Sequence, residues 1–210
     1  MTTRAAFVLA LLAASAFGLT IPAEVTFDRT QLALEYRDGM TVPLLGRCVS
    51  AWETGAPAVP VAVAQLVVPQ DMVVTGVRVF TDEEEVLDGE YDVYPVQPPQ
   101  ALSDPGLPDF VGPDPKYYSL KAYPAEVAAL AHQGSFFGYR IVSVFIAPVQ
   151  YNGTTRRLTF HRRVAFELAL APGETGSLKP GKRSPEARRR IESIVRSLVL
   201  NPEDVPTFAP

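Results

Sequence analysis

From Leu158 to Leu170 large apolar side chains recur at every second residue, through Leu158, Phe160, Val164, Phe166, Leu168 and Leu170, with Arg162 in the same phase. A period of two places these side chains on one face of a strand but scatters them around a helix, so the segment can bury them together only within a sheet. Other segments read the same way. Val73, Thr75, Val77 and Val79 alternate with Val74, Gly76, Arg78 and Phe80, and Ile141, Ser143 and Phe145 alternate with Val142, Val144 and Ile146 in the run Tyr139 to Ala147. Val59 to Val68 is β-branched and closed by Pro69, while Val25 to Phe27 and Gln31 to Tyr36 are shorter, with Asp38-Gly39 as the turn that follows. Asn152-Gly153 is a hairpin signal between the last two strong strands. The acidic run Asp82 to Glu85 reads as a solvated turn or an edge. Strands spaced by turns, apolar on both faces in the middle ones, predict an all-β fold, an antiparallel β-sandwich over residues 19–172.

Two stretches break the pattern. Between residues 95 and 124 lie Pro95, Pro98, Pro99, Pro105, Pro108, Pro113, Pro115 and Pro124. Proline lacks the N–H that a ladder needs, so this is a long extended connection, which Phe110, Tyr117, Tyr118 and Tyr123 are expected to pack down at several points. Pro124 to His132, with Val127 and Leu130 inward, reads as two turns of helix. The second break starts at Pro172: residues 173–184 read as a linker. Ser184-Pro185-Glu186 then opens a helix, with an N-cap serine, proline at the first position and an acid in the first turn. Ile191, Ile194, Val195, Leu198 and Val199 recur at helical spacing up to about Leu200, and residues 185–210 are read as a C-terminal helix and tail.

The N-terminus adds a destination. Arg4, the apolar run Ala5 to Leu12, and the small residues Ala13, Ala14, Ser15, Ala16 and Gly18 form a secretory signal peptide over residues 1–18, too short for a permanent membrane span. Cleavage is expected after Gly18, before Leu19, with Ala14 and Ala16 offering a cut two residues earlier. The chain is therefore expected to be exported, to the periplasm, the cell surface or the medium. A formal net charge of −4 gives no reason to expect a nucleic-acid partner. The single cysteine, Cys48, precludes an intramolecular disulfide.

Residues for chemistry are few. His132 and His161 are the only histidines. His161 is read as a solvent-facing strand residue beside Arg162 and Arg163, and His132 as the end of the short helix. Cys48 lies in an apolar stretch with no helix start or glycine elbow to lower its pKa, so a Cys–His dyad is not expected. Two histidines and one cysteine do not make a structural zinc site, and the acids Asp82 to Glu85, Asp88 and Glu90 lack the ligand spacing of an EF-hand loop. No cofactor and no metal is expected. The basic cluster Lys179, Lys182, Arg183, Arg188, Arg189, Arg190 and Arg196 stands out in an acidic chain, either as a solvated helix face or as a protease-accessible stretch.

Several short blocks in order carry a resemblance. They are Gly55-Ala56-Pro57-Ala58-Val59-Pro60, then Val67-Val68-Pro69 with Val74 to Val79, then Tyr94-Pro95 and Pro98-Pro99. Tyr123-Pro124, Gly138-Tyr139-Arg140, Pro148-Val149-Gln150-Tyr151-Asn152, Leu158-Thr159-Phe160 and finally Leu198-Val199-Leu200-Asn201 follow. Over residues 50–202 this order resembles the propeptide domain of gingipain-type cysteine peptidases, a secreted, caspase-like clan. The resemblance implies a non-enzymatic domain that keeps such a peptidase latent by occluding its cleft and assists its folding. Its partner would be the catalytic domain, in trans or from an adjacent reading frame. The sequence ends at Pro210, where a catalytic domain would be expected to begin, which leaves a free-standing inhibitor, a truncated reading frame and half of a split gene all open. Lys116 and Lys121, the basic residues of the proline-rich connection, are then the expected pocket-filling side chains. Arg183 and Arg190 are the expected processing sites. The rival expectation is a secreted adhesion or carbohydrate-binding β-sandwich that stacks sugars on Tyr91, Tyr94, Tyr117 and Tyr118.

Overall fold

The computed structural model describes residues 19–99, 109–173 and 183–210. Ten strands and two α-helices follow in order: β1 (Thr20–Thr26), β2 (Leu32–Arg37), β3 (Met40–Leu45), β4 (Val49–Ser50), β5 (Pro60–Val68), β6 (Met72–Val86), α1 (Pro115–Tyr118), β7 (Ala128–Phe136), β8 (Tyr139–Ile146), β9 (Val149–Asn152), β10 (Arg157–Pro172) and α2 (Pro185–Leu198). The longest strand, β10, organises one sheet. It pairs with β6 along one edge, and with β9 and then β1 along the other, all antiparallel. The second sheet runs β4-β5-β8-β7, and β2 and β3 form a separate hairpin. Its turn is Asp38-Gly39 with φ of 51° and 79°, the doubly positive geometry that favours aspartate and glycine there.

The inner faces of the two sheets close on one core, where Leu66, Val142, Val144 and Ile146 meet Val164, Phe166 and Leu168. A second core at one end gathers Val59, Val61, Tyr123, Val149, Tyr151, Leu158 and Phe160 under Leu32 and Leu45 of the hairpin. Strand β10 serves both, and where it passes from one to the other its ladder with β6 shifts register twice, between His161 and Arg163 and between Arg163 and Ala165. The shift turns His161 inward to 1% exposure, so its expected solvent-facing position is corrected: a bulge re-aims the side chain. A further shift at Ala169/Leu170 breaks the strict alternation expected in β6. Val74 consequently shares its inward face with Val77 and Val79, rather than opposing them.

One other expectation is corrected. Residues 128–136 form strand β7 instead of a helix. A two-turn helix is marginal alone, whereas the free edge of the apolar strand β8 offers a full ladder of hydrogen bonds. The acidic run lies on β6, an edge strand of its sheet, which agrees with the edge reading: its glutamates are exposed, Glu83 and Glu84 stand opposite Arg163 and His161, and Glu85 pairs with Arg29 at 3.1 Å.

Helix α2 starts as its sequence indicates: the Ser184 hydroxyl accepts from the Ala187 N–H and Pro185 takes the first position. Val195 on its apolar side and Val199 just past its end lie on Val67 and Tyr139 of the second sheet together with Val205. The chain after α2 then covers the edge of β5. Leu200 N–H donates to the Gln65 carbonyl, and the Asn201 side chain pairs with Val67.

Candidate functional site

The proline-rich connection is gripped where it leaves the body and where it returns. Gly55, at φ 82°, donates its N–H to the Val96 carbonyl and accepts from the Asp114 N–H. The Gln97 amide closes the neck: Oε1 accepts from Val111 N–H and Nε2 donates to Val111 O, both at 2.9 Å. Tyr94 and Phe110 stack across it with centroids 5.8 Å apart. Past the neck, Asp114 caps α1 by accepting from Lys116 N–H at 2.8 Å, and Pro115 opens the helix.

The returning segment then lies down on the β9–β10 hairpin. Tyr118 donates its hydroxyl to the Val93 carbonyl at 2.6 Å and sets its ring edge-on to Tyr151 at 5.6 Å. Tyr123 exchanges both backbone hydrogen bonds with Tyr151, at 2.8 Å each. Burial raises the Tyr118 and Tyr123 phenols well above their ordinary range, and the Glu53 carboxylate beside Tyr123 adds to that rise. Both therefore act as neutral donors. Gly153 makes the approach possible, since a Cβ there would lie 2.0 Å from the Tyr118 carbonyl oxygen. The turn is held by Asn152, whose Oδ1 accepts from the N–H groups of Thr154 and Thr155. On this platform Lys116 and Lys121 are both exposed. Lys116 Nζ sits 4.7 Å from the Tyr117 ring centroid, and Lys121 forms no ion pair or hydrogen bond among the described residues.

Beside the platform runs an apolar groove of about 420 Å³, lined by Trp52, Tyr117, Leu120, Tyr123 and Phe145, with Glu53 and Glu126 as its charged members. Trp52 and Phe145 pack at 4.4 Å between centroids, Tyr117 and Tyr123 at 5.3 Å. The Tyr123 hydroxyl donates to Glu53 Oε2. Sequence reasoning missed this groove; its only advance signal was a lone tryptophan next to an acid. Of the tyrosines considered for sugar stacking, Tyr94 is buried, and Tyr91 and Tyr118 commit their hydroxyls to the carbonyls of Asp88 and Val93.

The candidate acid–base residues share no hydrogen bond among the described residues. Cys48 is half-buried and its thiol is pushed up by burial, the reverse of what a nucleophile needs. His161 Nε2 is 2.9 Å from Gln150 Oε1, and Gln150 Nε2 donates to the Pro124 carbonyl at 2.7 Å. Burial lowers the His161 pKa, with Glu84 at 3.7 Å from Nδ1 pulling the other way. His132 is exposed on β7 rather than at a helix end. No hydrogen bond joins Cys48 to either histidine, and no group of three or more metal-ligating side chains gathers among the described residues.

In the basic cluster, Arg183 donates from Nη1 to the Phe137 carbonyl at 2.8 Å, capping the β7–β8 turn. Arg190 is exposed within α2. Gly18 and the rest of residues 1–18, together with Lys179 and Lys182 of the expected linker, lie outside the described residues.

The Propeptide_C25 family model matches residues 19–203. Among solved structures, one described as "Complex of Porphyromonas gingivalis RgpB pro- and mature domains" is similar at a TM-score of 0.65 and 18% identity, over 88% of this chain and 92% of that one. Another, "Structural insight into zymogenic latency of gingipain K from Porphyromonas gingivalis", is similar at a TM-score of 0.59 and 23% identity, over 76% and 90%. At these identities the likeness is one of fold. No curated protein matches the chain.

Proposed function

The chain belongs to the Propeptide_C25 family, and on that premise we propose that it keeps a gingipain-type cysteine peptidase latent by occluding its active-site cleft and helps that peptidase to fold. The observation that carries the proposal is the platform formed by residues 113–124. A segment fixed by Tyr118, Tyr123 and Gly153 presents Lys116 and Lys121 to solvent on backbone that is already ordered. Pre-ordering reduces the entropy lost when such a side chain enters a pocket. The two related structures concern pro- and mature domains of gingipains and zymogenic latency, which supports the same reading for this chain.

In this reading the chain is exported through residues 1–18, cleaved after Gly18, and released from its peptidase by cuts at Arg183 or Arg190. The matched family is a propeptide rather than a catalytic domain, in keeping with a non-enzymatic role. The deciding experiment titrates a gingipain-type peptidase with the chain from Leu19. Saturable inhibition that weakens in Lys116→Ala or Lys121→Ala supports lysine insertion. Saturable inhibition unchanged by both substitutions removes the lysines from the mechanism, and no inhibition by folded protein removes latency itself. Mass spectrometry of secreted chain locates the release cuts. Recovery of peptidase activity after dilution from denaturant, with and without the chain, tests folding assistance.

A further inference from the structure

We propose that the groove beside Trp52 binds an arginine side chain presented by a partner polypeptide. Two observations define the site. Trp52 is 52% exposed although its ring is packed on Phe145, so a large aromatic face stands in water where a ligand would cover it. Glu53 lines the same groove, with the exposed Glu126 as its second acid, and one oxygen of Glu53 accepts the Tyr123 hydroxyl. Its other oxygen has no partner, and no cation pairs with the carboxylate among the described residues. A carboxylate set among aromatic rings selects a cation, because ring faces and carboxylate attract the same charge.

Arginine fits better than lysine. The planar guanidinium stacks on an indole face and offers parallel N–H donors to a carboxylate, while its aliphatic stem lies on apolar wall such as Leu120 and Ala129. The groove, at about 420 Å³, lies within the range of about 300–1,000 Å³ typical of ligand sites. The neighbouring Lys116 already illustrates the attraction, since its ammonium rests over the Tyr117 ring, yet it forms no ion pair with Glu53. The inference stands apart from the inhibitory reading, and a peptide probe tests it with no peptidase present.

Trp52 is the only tryptophan in the chain, so its emission reports on this groove alone. Titration with the blocked tripeptide Ac-Ala-Arg-Ala-NH2 is expected to change Trp52 emission saturably, half-complete at about 1 mM. The matching citrulline peptide, equal in shape but uncharged, is expected to bind at least about tenfold more weakly. Glu53→Gln keeps an acceptor for Tyr123 and should lose about tenfold for the arginine peptide with an unchanged urea midpoint. Ala129→Phe, which fills the groove while sparing Glu53, should abolish the response. No saturable change up to about 50 mM, equal binding of the citrulline peptide, or undiminished binding by the folded Glu53→Gln variant would overturn the proposal.

Discussion

The side-chain amide of Asn201 pairs with both backbone polar groups of Val67: Oδ1 accepts from the N–H at 3.0 Å and Nδ2 donates to the carbonyl at 2.9 Å. It thereby does the work of a missing strand on the edge of β5. The same device recurs twice. Gln133 pairs with the N–H and carbonyl of Val74 at 2.8 and 2.9 Å, tying β7 to β6, and Gln97 pairs with Val111 at the neck of the proline-rich connection. In each case a neutral amide, one acceptor and one donor on a planar group, meets the two groups that a peptide would meet.

Asn201→Ala strands the Val67 N–H and carbonyl in a site that is fully buried. The expected cost is about 1–3 kcal/mol, read as a lower urea midpoint with an unchanged slope. Asn201→Asp should cost more, because it sets a carboxylate against the Val67 carbonyl and the Asp204 carboxylate that Nδ2 now satisfies. Equal stability of wild type and Asn201→Ala would mean that water replaces the amide fully.

Gly153→Ala drives a methyl group into the Tyr118 carbonyl. The returning segment must lift, at an expected cost of about 2 kcal/mol or more. Hydrogen exchange localises the effect: the Tyr123 and Gly153 N–H groups, bonded to Tyr151 and Leu120, should lose protection while those of β8 keep it.

His161 makes stability depend on pH. Its folded pKa lies below the ordinary value of 6.5, chiefly because burial disfavours the charged ring. Below pH 6.5 the unfolded chain therefore binds a proton that the folded chain resists. Stability falls as pH drops through 6.5 and the loss levels off below the folded pKa. Glu84, facing Nδ1, reduces the effect, and Gln150 on the other ring nitrogen is neutral. Urea midpoints between about pH 7.5 and 5.5 should decline in the wild type and less steeply in His161→Gln.

A cut after Arg183 should leave the two pieces together. Val195, Val199 and Val205 are buried against the sheet, and Asn201 holds Val67 across the gap in sequence. Fragments nicked there with trypsin are expected to co-elute on gel filtration and to separate only under denaturing conditions. Cleavage after Arg190 should be slower, because a protease needs extended chain and Arg190 lies within α2. Immediate loss of residues 184–210 under native conditions would contradict this docking.

β8 and β10, marked by alternation, β5, marked by its β-branched run, and the capped start of α2 could be read from residues alone. There a side-chain period or a local hydrogen bond decides the structure. β3 was hidden by Pro43, which an edge hairpin tolerates, and β7 was hidden because its partner β8 decides its conformation, not its own spacing. The inward turn of His161 depends on a pairing shift against β6, which no pattern within β10 records. The groove joins Trp52 and Glu53 to Leu120 and Phe145 from distant parts of the chain, so it exists only once the sheets are packed.

The neck at Gln97 and Val111 closes a loop between two positions 14 apart in sequence. Gly55 and Gln97 hold its two ends through the backbone groups of Val96, Val111 and Asp114, and Phe110 sets its ring against Tyr94. Doubling the loop's length would cost only about 0.6 kcal/mol of closure entropy. Because the neck sets the closure and loop length enters only logarithmically, the sandwich can take up insertions between residues 97 and 111 at little entropic expense.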